Sequence, residues 1–150
     1  MSENQTSSVR FLFPPGAKII GVGTDVVVVD RMREAIERTG QPFLNRLFSA
    51  TEQLWACEQN DSAIAFSSLF AAKEAVAKSI GTGITGVVAW HDLLVDVVAD
   101  KVALSGGASK RARRLSQGKE CDCRLQTQIG SDFVSVTAIT AEVEASRTRA

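Results

Sequence analysis

The chain has 150 residues, with 17 Lys and Arg balanced by 17 Asp and Glu, and 45% of its residues are hydrophobic. That length and composition fit one globular domain with a sizeable core, and they exclude disorder throughout. A net charge of zero and 6% aromatics without any Tyr argue against a chain built to grip a nucleic-acid backbone or to stack single strands.

Residues 1–17 read as a flexible extension, polar at first and closed by a Pro14-Pro15-Gly16 turn. They lack the cationic start and apolar core of a secretory signal. No apolar run reaches the ~18 residues of a membrane span. Cys57, Cys121 and Cys123 are odd in number, and Cys121-Asp-Cys123 is too tight for an ordinary zinc pair. Free thiols in a reducing, cytoplasmic setting are the expectation.

Residues 18–143 form the expected single domain, followed by a frayed tail over 144–150. A buried strand begins near Ile19, and Gly21 and Gly23 within it allow close approach of a backbone or ligand. Val26 to Val29 favours an extended segment, after which Asp30 or a neighbour caps a helix from Arg31 to Gly40. Pro42 to Phe48 is a short amphipathic segment, and Ser49-Ala-Thr-Glu52 can cap the next helix. Ala63 to Ile80 is the longest helical pattern, stopped by Gly81-Thr82-Gly83. Val87–Trp90 and Leu93–Val98 read as strands, and Lys101–Leu104 can pair with them. Ala108–Leu115 reads as a short helix carrying Lys110, Arg111, Arg113 and Arg114, most simply a solvated basic face or one for an acidic partner. Arg124–Ile129 and Phe133–Val143 form a hairpin around Gly130-Ser-Asp132. Helices early and strands late predict an α+β fold.

Two places suggest chemistry. Asp25, just after the Gly-rich strand end, suits a hard cation that takes one or two carboxylates plus waters and phosphate oxygens; it also suits a structural turn. Glu74 and Lys78 share a helix face at i, i+4; the plain reading is a surface ion pair, but the small residues around them leave room for a ligand or for close packing. Glu74 can serve as a second metal carboxylate and Lys78 as a point charge for phosphate. The Gly81-Thr82-Gly83 that stops the helix would let backbone amides meet phosphate oxygens. His91, the single histidine, is expected to be structural.

Together, Ile20-Gly-Val-Gly-Thr-Asp25 with Arg31, Phe48-Ser-Ala-Thr-Glu52, Phe70-Ala-Ala-Lys-Glu-Ala75 with Lys78, Gly81-Thr-Gly-Ile84 and Trp90-His-Asp92 resemble the holo-acyl-carrier-protein synthases. These are the small trimeric class of 4′-phosphopantetheinyl transferases, and the resemblance runs from about Ile19 to Glu142. It implies an antiparallel sheet with a long helix packed on it, and transfer of the phosphopantetheine arm of coenzyme A to a serine of an apo acyl carrier protein. It implies that Asp25 and Glu74 hold Mg²⁺ and that Lys78 neutralises the phosphates. Lys73, Gly81, Thr82 and Gly83 would join Lys78 on the coenzyme A side, and Arg31 would face the carrier protein. Either Glu74 or a metal-bound water would take the serine proton. A site between subunits of a homotrimer is implied, with Ile129, Phe133, Val134 and Val136 in the core or at the trimer contact. The chain departs from the family pattern at Leu69, where an Arg usually stands, and at Thr127-Gln-Ile-Gly130, which lacks the family's His. These departures leave open a repurposed, inactive relative that binds a carrier protein or another partner, or one acting on a carrier-bound substrate.

Overall fold

In the computed structural model, the described residues are 11–145. Residues 1–10 of the expected extension and 146–150 of the expected tail lie outside them. The first strand, β1 (Lys18–Val28), leads into α1 (Val29–Thr39), α2 (Gln41–Leu47), α3 (Ala50–Cys57) and the long α4 (Ser62–Ser79). A short 3-10 turn (Trp90–Asp92) then precedes β2 (Leu93–Asp96), β3 (Lys101–Leu104), α5 (Gly106–Leu115), β4 (Glu120–Ile129) and β5 (Phe133–Val143). The five strands form one antiparallel sheet in the order β1-β5-β4-β3-β2. The α+β fold and the long helix on an antiparallel sheet are as expected.

α4 packs mainly across β1 and β5. Asp61 starts it by accepting from the amides of Ala63 (3.0 Å) and Ile64 (3.4 Å), a side-chain cap for orphan donors. Ala65, Ala71, Ala72, Ala75, Ala77, Leu69 and Val76 are all buried, so the helix is enclosed on most sides. The glycines of β1 make this approach possible. A methyl group at Gly21 would overlap the carbonyl of Ser79, and one at Gly23 that of Ala75. The helix therefore lies on strand backbone, and the next inward position, Asp25, is brought beside Lys78.

The structure corrects four local expectations. Val29 is helical rather than extended, because its side chain is buried (6% exposed) and its amide is fixed by Asp132 O at 2.9 Å. Packing overrides the β preference of a branched residue. Asp30 does not cap α1; the N-cap is Val28, with no side-chain bond, and Asp30 lies in the first turn. Val87–Trp90 is no strand: the Asp92 carboxylate captures the Ala89 amide at 3.0 Å, and Val88 is a buried plug. β2 stops at Asp96, whose side chain accepts from Ala99 N at 3.0 Å and turns the chain.

Candidate active site

β1 and α4 place three predicted residues together. Asp25 projects from β1 toward α4, its side chain 17% exposed, and Lys78 Nζ donates to Asp25 Oδ1 at 2.8 Å and to Thr24 O at 3.0 Å. Glu74 lies one turn before Lys78, half-buried. Burial first, and then the Asp25 charge, hold its carboxyl above the usual range; Lys78 opposes them. The pair is thus a like-charge arrangement that one ammonium partly offsets.

That donor set fits Mg²⁺, which takes one or two carboxylates and fills its shell with water and substrate oxygens. Among the described residues no cluster of three or more His, Cys, Asp or Glu side chains could hold a metal alone, so most of the shell would come from outside the protein. A cation bound here would compete with a proton for Glu74. Its pKa is raised in the fold, so the ionised carboxylate costs stability above that pKa, and a cation relieves the cost. Stabilisation by Mg²⁺, read as a rise in Tm, is expected at pH 8 and should fade on acidification through a pKa above that of an ordinary Glu. Equal Mg²⁺ shifts at pH 8 and pH 5 would contradict the assignment.

Two coenzyme A contacts expected from the sequence find other uses. Lys73 is fully buried, with its Nζ 2.9 Å from Glu52 Oε2, 3.0 Å from Leu47 O and 3.1 Å from Trp90 O. Its amine is spent inside the fold, tying α4 to α2, α3 and the turn before β2, and burial lowers its pKa against the raising effect of Glu52. The amides after α4 also turn inward: Gly81 N donates to Lys78 O (2.9 Å), and Thr82 N and Gly83 N donate to Ala77 O (3.1 and 3.2 Å). Positive φ at Gly81 (74°) and Gly83 (70°) makes this wrap possible. Those amides close the helix and do not stand ready for a phosphate.

Arg31 is exposed on α1, while its neighbour Arg33 is engaged by Asp61 at 3.0 Å and Asp30 at 3.7 Å. His91 Nε2 lies 2.9 Å from Asn45 O, a structural contact as expected. The cysteines are free thiols, and burial pushes the Cys123 thiol up to about 12, so it is no nucleophile at neutral pH. Leu69 is fully buried and lines an apolar cleft of about 810 Å³ with Trp55, Val95, Val102 and Leu104; Asp25, Glu74 and Lys78 do not line it.

Glu52 is the residue that sequence reading missed. Its role as the helix-capping Glu was legible, and the capping box is present: Ser49 N donates to Glu52 Oε2 (2.8 Å) and Glu52 N to Ser49 Oγ (3.2 Å). The same carboxylate also accepts from Val95 N at 2.9 Å and pairs with Lys73. A lysine within an alanine-rich, buried helix was the available signal that such a partner had to exist.

Known proteins resemble the chain over most of this frame. Residues 21–138 match the family model described as the 4′-phosphopantetheinyl transferase superfamily. A holo-[acyl-carrier-protein] synthase of Chlamydia pneumoniae is 49% identical over 78 residues, 52% of this chain and 64% of that protein. One from Bradyrhizobium sp. is 35% identical over 134 residues, covering 81% of this chain and 96% of the relative. The crystal structure of the Neisseria meningitidis holo-[acyl-carrier-protein] synthase superposes with a TM-score of 0.69 at 29% identity, over 84% of this chain and all of that one. With the match extending from the Gly21–Asp25 strand through α4 and into β5, the chain belongs to the 4′-phosphopantetheinyl transferase superfamily, as a member of the holo-acyl-carrier-protein synthase type.

Proposed function

We propose that this chain moves the 4′-phosphopantetheine arm of coenzyme A to a serine of an apo acyl carrier protein, with Mg²⁺, as a cytoplasmic homotrimer. The observation that carries the reading is the convergence of Asp25, Glu74 and Lys78 from two elements, within a chain of this superfamily. In the reaction the serine oxygen bonds to the phosphorus of the pantetheine-bearing phosphate. The diphosphate bridge breaks, the serine proton leaves, and adenosine 3′,5′-bisphosphate departs. Such transfer rests on positioning and charge neutralisation.

Asp25 and Glu74 would hold the cation, which supplies charge stabilisation at the phosphates when bound. The serine proton would go to Glu74 where the cation does not hold its carboxylate, or otherwise to water at the cation. Lys78 adds a positive charge beside both carboxylates. Leu69 removes one cation of the family pattern and leaves this group intact.

The trimer reading is supported by the outward face of β1. Val22 (56% exposed), Val26 (62%) and Val28 (44%) lie on it, and Ile129 and Phe133 at the neighbouring hairpin are exposed too. An apolar stripe of this kind is what an assembly covers. Val134 and Val136 instead lie in the core.

Carrier proteins of acidic surface fit the exposed Arg31. Arg31→Glu is expected to raise KM for the carrier protein about tenfold or more, with kcat and KM for coenzyme A little changed. An unchanged KM for the carrier in steady-state kinetics would remove Arg31 from the docking surface.

A further inference from the structure

The C-terminal end of α4 presents a physical problem for any phosphate placed there. An 18-residue helix carries partial negative charge at that end, and the amides of Gly81, Thr82 and Gly83 are consumed by Lys78 O and Ala77 O. Backbone donors therefore do not offset an incoming anion. Cationic side chains must do so.

Lys78 is one such side chain, and part of its charge is held by Asp25. α5 supplies a second. Arg111 is half-buried, whereas Lys110, Arg113 and Arg114 of the same helix are exposed. Its Nε donates to Ile80 O at 2.9 Å, which anchors the guanidinium at the residue that caps the end of α4. Its Nη2 stands 3.4 Å from where a methyl group on Gly81 would be, so the distal nitrogens reach over an exposed glycine. Among the described residues no carboxylate lies within ion-pair distance of this guanidinium, while Arg33 and Arg124 both have one. An arginine anchored through Nε, with its terminal nitrogens unspent beside open backbone, is arranged to receive an oxyanion in a fork.

We propose that Arg111 holds a phosphate of coenzyme A over Gly81, taking the place that the amides of the Gly81–Gly83 loop cannot fill. This rests on the reading of the chain as a coenzyme A-dependent transferase. It assigns a binding role to α5, whose basic residues otherwise read as a solvated face.

The test is calorimetric binding of coenzyme A and of 3′-dephospho-coenzyme A to wild type, Arg111→Gln and Arg111→Lys, beside steady-state transfer and Tm. Arg111→Gln is expected to weaken coenzyme A binding and raise its KM about tenfold or more, with KM for the carrier protein unchanged. Arg111→Lys should recover part of the affinity, because charge is kept and the fork is lost. Weakening with both ligands assigns the diphosphate; weakening with coenzyme A alone assigns the 3′-phosphate. A role confined to capping α4 would lower Tm and leave both affinities alone, and that result overturns the proposal while transfer by the wild type stands. Wild type that binds coenzyme A through Arg111 yet transfers nothing would instead overturn the transferase reading alone. Wild type that binds neither ligand would overturn both.

Discussion

Asp25→Asn and Glu74→Gln are each expected to slow phosphopantetheinyl transfer by about 10³-fold, roughly 4 kcal/mol of transition-state free energy, with the fold retained. Both substitutions keep the size and shape of the side chain and remove its negative charge. Asp25→Asn gives up a contact with a half-exposed lysine, and exposed ion pairs contribute little to stability. Glu74→Gln removes an ionised carboxylate that burial and Asp25 disfavour, so above the raised pKa the variant should melt no lower than wild type. Activity and stability are thus predicted to separate, the signature of residues placed for chemistry. Single-turnover transfer measured beside thermal melts checks this. Near-normal transfer by both variants would mean that the carboxylate pair is not the reaction centre.

The buried Lys73–Glu52 pair should show the opposite separation. Lys73→Met leaves the Glu52 carboxylate without its cation in a site where both side chains are essentially inaccessible, and the expected destabilisation is about 3–5 kcal/mol in denaturant unfolding. Glu52→Leu strands the lysine in the same way and also gives up the bonds to Ser49 N and Val95 N. The double variant Glu52→Leu/Lys73→Met should recover a large share of that loss, because the desolvation of two charges disappears with them. Any activity lost should follow the unfolded fraction, with KM for coenzyme A unchanged in the folded remainder. A single-variant cost below about 1 kcal/mol would contradict the buried pairing. A selective rise in KM for coenzyme A would return Lys73 to the ligand side.

These two predictions mark where the sequence could be read and where it could not. Glu74 and Lys78 were legible because helical spacing alone puts them on one face. Asp25 was legible as a carboxylate at a glycine-opened strand, and its contact with Lys78 follows from the close approach that Gly21 and Gly23 permit. Lys73 stands next to Glu74 in the chain but about 100° around the helix, which sends it into the core. Its partner comes from α3, and no local pattern announces a contact between separate elements. Gly81-Thr82-Gly83 was readable as a helix stop, yet the same glycines suggest a phosphate loop. The hydrogen bonds back to Ala77 and Lys78 decide between these uses. Val87–Trp90 misled because four residues of apolar character do not distinguish a strand from a buried plug, and the Asp92 carboxylate made the difference.

The central claim is tested most directly by intact-protein mass spectrometry of an apo acyl carrier protein incubated with this chain, coenzyme A and Mg²⁺, beside an EDTA control. The account predicts a gain of one phosphopantetheine mass on the carrier, lost with EDTA and lost with Asp25→Asn. No gain across several carrier proteins, in a series where a known transferase modifies them all, would contradict it and favour a relative that binds its partner without transferring the arm.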